Sequence, residues 1–219
     1  MTKPAMTHRD LAVLRREYAL SALSEADVDP DPIRQFERWF ADAIAAEVLE
    51  PNAMALATAT PGGMPSARIV LLKGIDAGGF LFYTDYRSRK GAELTENPRA
   101  AVVLLWKEIE RQVRVSGVVS RVSPAESEAY YRSRPIGSRL GAWASHQSAV
   151  IASRDELEQR LREVQSRFTG DDVPLPPHWG GFRIAPDELE FWQGRPDRLH
   201  DRLCYRRDPS GWVISRLSP

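Results

Sequence analysis

The sequence predicts an α+β fold in which peripheral helices surround a small antiparallel β-barrel. Short β-prone runs recur along the chain and are separated by turns rich in Gly, Pro and Asn. Helix starts interrupt these runs at several points. The 219 residues, 42% of them hydrophobic and six of them Trp, are enough to fill one core. We therefore expect an N-terminal arm over residues 1–30 and a single domain over residues 31–219.

The domain is predicted to begin with a helix. Asp31-Pro32 has the residues preferred at an N-cap and at the first helical position. Apolar residues then recur at a spacing of three to four, which indicates a core-facing helix ending near Glu50. These residues are Ile33, Phe36, Phe40, Ala43 and Ile44. The arm before the helix is polar apart from an amphipathic patch at 11–20, and two readings stay open for it, a short surface helix or a mobile arm.

Five strands are predicted between residues 54 and 119. They are residues 54–60, 66–73, 80–84, 100–106 and 111–119. The first three are joined by short Gly-containing connections, so we expect them to pair as an antiparallel meander. A short helix from a Ser88 cap to about Glu96 separates the third strand from the fourth. In the fifth strand, Val113 and Val115 are expected to face inward.

The second half of the chain carries two helix starts. Ser123 to Glu126 and Ser153 to Glu156 both have the capping-box pattern, and the first of these helices should stop before Pro135. The second is expected to bury a stripe formed by Leu157, Leu161, Val164 and Phe168. Residues 137–150 between the two helices are rich in Gly and Ser and are predicted to be a loop. Residues 179–184 and 211–217 are predicted strands.

Composition argues against several classes of protein. Thirty basic residues balance thirty acidic ones, whereas a general nucleic-acid or membrane-surface binder usually has a basic excess. The single cysteine, Cys204, excludes an intrachain disulfide and fits a reducing cytoplasm. There is no apolar leader and no run long enough to span a bilayer, so we expect a soluble cytoplasmic protein. Dinucleotide, P-loop, zinc-protease and nucleophile-elbow motifs are missing, and we expect no protein-bound metal.

The segment from Phe191 to Arg202, FWQGRPDRLHDR, is the most distinctive stretch. If it is extended, the alternation places Arg198, His200 and Arg202 on one face, beside the indole of Trp192. Three cationic or titratable donors next to an aromatic ring suit an anionic, aromatic ligand. The alternative is a solvated basic strand edge.

Two further basic groups could bind an anion. Arg68 and Lys73 lie on opposite faces of a straight strand, so they meet one ligand only if the strand bends or a second subunit completes the site. Arg89 and Lys90 fall in the first turn of the Ser88 helix, where free N–H groups and the helix dipole favour an anion such as phosphate. An exposed helix start whose cations meet only water is the alternative.

Tyr130 and Arg134 are four residues apart on the Ser123 helix and therefore share a face. Together with Ser138 they could hold a second phosphate, or they could be an ordinary surface pair. Gln147 and Ser148 offer amide and hydroxyl donors in the Gly-rich loop, which could equally be a polar turn.

These groups, in this order, resemble the pyridoxine/pyridoxamine 5′-phosphate oxidases, which are FMN enzymes of vitamin B6 metabolism. The resemblance runs through nearly the whole chain. Its motifs include LRREY (14–18), FERW (36–39), RIVLLK (68–73), SRK (88–90), ERQVRVSG (110–117), LGAW (140–143) and EFWQGR..RLHDR (190–202).

The resemblance implies a split-barrel homodimer with FMN bound at the subunit interface. It implies FMN contacts from Arg68, Ile69, Val70, Leu71, Leu72, Lys73, Tyr83, Thr84, Arg89, Lys90, Gln112, Gln147, Ser148, Trp192 and Arg202. It implies substrate contacts from Lys73, Tyr130, Arg134, Ser138, Arg198, Leu199 and His200, with Arg15, Arg16, Glu17 and Tyr18 as a flap.

The implied reaction oxidises the 4′ carbon of pyridoxamine or pyridoxine 5′-phosphate to the aldehyde, with O₂ reduced to hydrogen peroxide. Arg198 and His200 are the implied catalytic residues; His200 would assist proton removal, or Arg198 would be the principal group. Three other functions stay open from the residues alone. They are a flavin reductase with another substrate, a non-catalytic binder of flavin or B6 phosphate, and a nucleic-acid binder, which the zero net charge disfavours.

Overall fold

The computed structural model describes residues 17–168 and 170–219, and these form one curled antiparallel sheet with helices on its periphery. The strands are β1 (Ala53–Ala59), β2 (Pro65–Leu71), β3 (Gly74–Asp76), β4 (Gly79–Asp85), β5 (Arg99–Trp106), β6 (Arg111–Arg121), β7 (Trp179–Gln193), β8 (Asp201–Asp208) and β9 (Gly211–Arg216). The α-helices are α1 (Pro32–Ala45), α2 (Arg89–Glu96), α3 (Pro124–Ser133), α4 (Ile136–Ala144) and α5 (Arg154–Arg167). Two short 3₁₀ turns span Lys107–Ile109 and Pro196–Arg198. The predicted α+β class with an antiparallel, barrel-like sheet is confirmed.

Strand β7 organises the sheet. The strand order is β2-β1-β5-β6-β7-β4-β3, with β8 and β9 branching from the far end of β7. On one side, β7 pairs with β6 from Phe182 to Gln193. On the other, its first half pairs with β4 and its second half with β8. The pairing with β6 shifts register after Ser116, at Gly117, where an added Cβ would lie 1.9 Å from the carbonyl oxygen of Ala185. This bulge bends the sheet, and only glycine fits there.

Helix α1 packs its aromatic face on the inside of the curled sheet. The Phe36 ring meets Phe80 edge-on with centroids 4.9 Å apart, and Trp39 meets Phe191 at 5.2 Å. Both helix residues are almost completely buried. Truncation of a buried aromatic of this kind to Ala typically costs about 3–5 kcal/mol, so this contact is a main support of the fold.

The predicted helix caps are confirmed in three cases. The Asp31 carboxylate accepts from the Ile33 N–H at 2.9 Å, Ser88 caps α2, and Ser123 forms a full capping box at the start of α3. Ser153 also caps α5, but its box is incomplete, because the Glu156 carboxylate accepts from the Ala152 N–H instead.

Four other predictions of local structure are wrong. Helix α1 ends at Ala45 rather than near Glu50, and Ile44 is 57% exposed. The predicted stripe on α5 is only half-buried, because that helix packs against α4 at the surface of the domain. Residues 137–150 are not all loop, since α4 occupies most of them.

The predicted three-strand meander is the fourth error. Strand β2 is an edge strand paired only with β1, whereas β4 pairs with β3 and with β7 from the end of the chain. In the core, by contrast, Val113 and Val115 of β6 face inward as predicted. None of the helices in the described ranges is long and apolar enough to cross a membrane.

Candidate active site

A cleft of about 850 Å³ opens between the exposed face of β2, the end of β4, the start of α2 and the α3–α4 pair. Most of the predicted site residues line it. Those with side chains or backbone on its wall are Arg68, Ile69, Val70, Leu71, Lys73, Tyr83, Thr84, Arg89, Lys90, Tyr130, Arg134, Ser138, Gln147 and Ser148. The volume is within the range of small-molecule and cofactor sites.

Lys90 provides a buried positive charge at the base of the cleft. Its ammonium is held by three neutral oxygens, those of Thr84 at 3.1 Å, Ser88 at 3.3 Å and Gln147 at 2.9 Å. Burial, with the nearby positive charge of Arg68, lowers the pKa of Lys90 from 10.5 to about 8. A desolvated ammonium with neutral partners is stabilised by an anion, so this position favours a phosphate.

The neighbouring arginines are held by a carboxylate that the sequence reasoning did not identify. Glu93 is only 4% exposed and accepts hydrogen bonds from the hydroxyls of Thr58 and Ser66 and from the Arg89 guanidinium at 2.9 Å. Arg68 lies 3.4 Å from the same carboxylate. Although burial opposes ionisation, these donors hold the pKa of Glu93 at about 2. Glu93 therefore fixes the direction of both arginines.

The loop after α4 completes this corner of the cleft. The Gln147 amide oxygen accepts from the Thr84 hydroxyl at 2.9 Å as well as from Lys90. The Ser148 hydroxyl accepts from the backbone N–H of Arg89 at 3.2 Å, and Ser148 itself has a left-handed φ of 71°. The loop is thus attached to the N-terminus of α2, where the helix dipole also favours an anion.

The opposite wall of the cleft is aromatic and carries a second cation. Tyr83 and Tyr130 stack with centroids 3.9 Å apart, and Trp179 lies nearly parallel to both. The Arg134 guanidinium lies 4.6 Å above the Trp179 ring, and its Nη1 is buried without a hydrogen-bond partner among the described residues. Burial lowers the pKa of Arg134. A buried guanidinium nitrogen without an acceptor marks a second position for an anion.

The remaining predicted residues form a second cluster at the other end of β7. The Trp192 and His200 rings are 4.6 Å apart, and Tyr18 meets them edge-on at 5.7 and 5.9 Å. The Arg195 backbone N–H donates to His200 Nδ1 at 3.1 Å, so the neutral ring carries its proton on Nε2. Burial and the Arg198 charge lower the pKa of His200, which favours that neutral form.

The predicted extended course of 191–202 is wrong in its middle. Strand β7 ends at Gln193, a 3₁₀ turn spans Pro196–Arg198, and β8 begins at Asp201. Arg198 has a left-handed φ of 62° and is exposed, as is Leu199. Arg198, His200 and Arg202 therefore do not share one strand face.

Arg202 is also occupied within the chain. Its guanidinium forms a bidentate pair with Glu190 at 2.8 and 3.0 Å, and Glu190 is 3% exposed. Gln112 lies opposite Trp192 on the neighbouring strand. These residues belong to the second cluster rather than to the cleft.

The two clusters are well separated within one chain. Trp179 lies in the cleft and Trp192 in the second cluster, at opposite ends of β7, which corresponds to a path of roughly 40 Å along the strand. Leu72 is buried in the core and does not line the cleft. Glu17 is exposed beside Tyr18, and the predicted contacts Arg15 and Arg16 lie outside the described residues. Within residues 17–168 and 170–219 there is no grouping of His, Cys, Asp and Glu that could hold a metal.

The chain is similar to known proteins over nearly its whole length. Residues 40–168 match the family model described as pyridoxamine 5′-phosphate oxidase, and residues 179–219 match the pyridoxine 5′-phosphate oxidase C-terminal dimerisation region. A pyridoxine/pyridoxamine 5′-phosphate oxidase of Cupriavidus metallidurans is 60% identical over 95% of this chain and 99% of its own. One from Rubrobacter xylanophilus is 58% identical over 99% of this chain and 100% of its own.

Two solved structures share this fold. PhzG from Burkholderia lata, in complex with tetrahydrophenazine-1-carboxylic acid, superposes with a TM-score of 0.86 at 37% identity, covering 92% of this chain and 100% of that one. An FMN-binding protein related to pyridoxamine 5′-phosphate oxidase, from Nostoc punctiforme, has a TM-score of 0.68 at 20% identity, over 84% of this chain and 97% of that one.

Proposed function

Because the chain belongs to the pyridoxine/pyridoxamine 5′-phosphate oxidase family of oxidoreductases, we propose that it is an FMN-dependent oxidase that produces pyridoxal 5′-phosphate. Pyridoxine phosphate and O₂ give the aldehyde and hydrogen peroxide. Pyridoxamine phosphate also consumes water and releases ammonium. The observation that carries this proposal is the buried ammonium of Lys90 and the buried Nη1 of the half-buried Arg134, which have no carboxylate at ion-pair distance among the described residues and lie on two walls of one cleft. We propose a cytoplasmic location, which the single cysteine, Cys204, fits.

The cleft residues fit the phosphate end of FMN. Lys90, Arg89 and the positive end of the α2 dipole would hold that phosphate, with Arg68 oriented by Glu93 beside them. The exposed face of β2, residues 68–71, would lie along the ring system. When bound, FMN supplies a two-electron acceptor that takes a hydride from the substrate and delivers the electrons to O₂.

The substrate phosphate would be held on the aromatic wall. Arg134 Nη1 has a free donor there, and Tyr130, Ser138 and Lys73 line the same cleft. Each charge-assisted contact contributes about 1.5–3 kcal/mol, which is enough to favour a phosphorylated vitamer over its dephosphorylated form by one to two orders of magnitude.

Arg198 and His200 would orient the pyridine ring and its 4′ substituent. Because His200 Nδ1 already accepts the Arg195 N–H, only Nε2 is available to a substrate, and in the neutral ring Nε2 is a donor. In this tautomer His200 would act as a hydrogen-bond donor to the substrate rather than assist proton removal, which favours the alternative that Arg198, whose charge lies beside it, is the principal group.

We propose that each active site combines the cleft of one chain with the Arg198–His200 turn of a second chain. The two clusters lie at opposite ends of β7, so one copy does not bring them together. The match of residues 179–219 to a dimerisation region supports a homodimer, and those residues include β7, β8 and β9. A two-fold dimer of this kind has two equivalent sites.

The first test is direct. The purified protein is expected to show the flavin absorbance near 450 nm and to form aldehyde and peroxide from pyridoxamine or pyridoxine phosphate only when O₂ is present. Retention of flavin without turnover of either vitamer would identify a binding protein. If the protein oxidises neither vitamer but transfers electrons between another donor and another acceptor, it is a reductase.

The second test addresses the shared site. Chains carrying Lys90→Met and Arg198→Ala, assayed at limiting FMN and limiting substrate, are each expected to lose most of their activity as homodimers. In a mixed dimer, one site has both defects and the other has neither, so an equal mixture recovers about one quarter of wild-type activity. Recovery no greater than the parental activities would contradict a site built from two chains.

A further inference from the structure

We propose that Glu110 is a positioning residue that seats Tyr18 against His200, and that Gly194 provides the space for it. This inference rests on the proposed function, because it assigns Tyr18 and His200 to the substrate half of that site. Glu110 ends the 3₁₀ turn before β6 in a left-handed conformation, with φ of 55°. Glu110 is only 3% exposed, although it lies in the connection between β5 and β6.

The side chain of Glu110 holds the segment that carries Tyr18. One carboxylate oxygen accepts the backbone N–H groups of both Ala19 and Leu20, at 2.9 and 3.1 Å. These two residues are exposed, with Leu20 62% exposed, so burial of their own side chains does not hold them. The first buried apolar anchor after Tyr18 is Leu23. The carboxylate therefore holds the backbone directly after Tyr18, and the next anchor is at Ser21, whose carbonyl oxygen accepts from Arg195 Nη1 at 3.1 Å.

The backbone of Glu110 holds the other partner. Its carbonyl oxygen accepts the Gly194 N–H at 2.8 Å and the side-chain amide of Gln193 at 3.2 Å. These residues end β7, and the turn that carries His200 starts there. Glu110 therefore positions Tyr18 through its side chain. Through its carbonyl oxygen it also positions the end of β7, where the turn that carries His200 begins.

Gly194 shows how closely the segment is fitted. A Cβ at this position would lie 2.7 Å from both Cβ and Cγ of Tyr18, and 3.1 Å from Cβ of Glu110. Any side chain there would displace the Tyr18 ring from its edge-on contacts with Trp192 and His200. Glycine is thus required by Tyr18, and not by the backbone angles of Gly194.

The test uses the FMN-loaded dimer. In Glu110→Ala, KM for pyridoxamine phosphate is expected to rise about tenfold or more, with a smaller change in kcat and unchanged flavin content. Glu110→Gln keeps an acceptor oxygen and is expected to recover part of the loss. Glu108→Gln, an exposed acidic neighbour on the same turn, is the matched control and should behave as wild type.

Amide hydrogen exchange gives a readout that does not depend on turnover. The N–H groups of Ala19 and Leu20 are expected to exchange at least about tenfold faster in Glu110→Ala than in wild type, with β6 and β7 unchanged. Gly194→Ala should raise KM in the same way while Glu110 is intact. The double variant should lose less than the product of the two single losses, because both act on Tyr18.

Two results would overturn the assignment. One is wild-type KM together with unchanged exchange of Ala19 and Leu20 in Glu110→Ala. The other is a rise in KM that appears only with loss of flavin and faster exchange throughout β6, which would make Glu110 merely structural. If neither the wild type nor any variant oxidises the vitamers but the exchange result holds, the proposed function is wrong. The inference that Glu110 holds the segment that carries Tyr18 then still stands.

Discussion

Replacement of Lys90 by Met is expected to stabilise the ligand-free protein and to weaken FMN binding. The wild-type ammonium is 7% exposed and is surrounded by neutral acceptors. The fall of its pKa from 10.5 to about 8 corresponds to at most ~3 kcal/mol of disfavoured charge in the folded state. Met fills a similar volume and removes that charge.

The sign of this effect follows from the protonation states. Below pH 8 Lys90 is charged in both the folded and the unfolded chain, so the full penalty is present. Between about pH 8 and 10.5 only the unfolded chain binds the proton, so this group makes the ligand-free protein more stable as pH rises. At pH 7, recovery of half the penalty in Lys90→Met would raise Tm by roughly 3–6 °C for a chain of this size.

FMN binding should change in the opposite direction. Loss of one charge-assisted contact with the phosphate weakens binding by ~1.5–3 kcal/mol, or about 10–150-fold in Kd. Wild-type affinity should also fall above pH 8, by up to about tenfold per pH unit, because binding then requires uptake of a proton by Lys90. In Lys90→Met, this pH dependence should disappear.

The assay combines thermal unfolding of the FMN-free protein with flavin fluorescence titration from pH 6.5 to 9.5. Lys107→Met, at an exposed lysine on the turn before β6, is the control and should change neither quantity. A ligand-free Lys90→Met protein that melts below wild type, or that binds FMN as tightly, would show that this ammonium is not an uncompensated charge awaiting a phosphate.

Three further substitutions test other parts of the site. Arg198→Ala should keep the yellow colour of bound FMN but lower kcat/KM by about 10–150-fold, measured by peroxide release; normal turnover would exclude its role. Arg134→Met should raise KM for phosphorylated vitamers by a similar factor and leave their dephosphorylated forms unaffected, as seen in paired steady-state assays. Glu93→Gln should remove a stability contribution that wild type holds above pH 4.5 and loses as pH falls toward about 2, so acid unfolding curves of the two proteins should converge in that window.

The sequence predicts best where the controlling interaction is local. The Asp31, Ser88 and Ser123 caps are formed as expected because each involves a side chain and an N–H group two or three residues away. The pairing of β4 could not be predicted in this way. Its partner β7 lies about a hundred residues further along the chain, and nothing within residues 66–84 distinguishes a local partner from a distant one.

The candidate site shows the same difference between local and distant interactions. The basic residues of the cleft were recognisable from their types and from the family motifs, whereas the acids that orient them were not. Glu93 and Glu190 look like surface residues in the sequence, yet both are buried because arginines meet them across strands or one helical turn away. Only the spacing of four between Arg89 and Glu93 gave a local signal.

The cations of the site have two physical roles that their charge alone does not distinguish. Arg68 and Arg202 are each held by a buried carboxylate, so they are positioned before any ligand arrives and their charge is largely balanced. Among the described residues, the buried Lys90 meets only neutral acceptors and the buried Nη1 of the half-buried Arg134 meets none, which destabilises the ligand-free fold. A phosphate that binds to these cations removes this penalty. Part of the binding free energy therefore comes from relief of the desolvation cost that the ligand-free protein carries. The overall neutrality of the chain is compatible with anion binding, because the cations that favour a phosphate are local to the cleft.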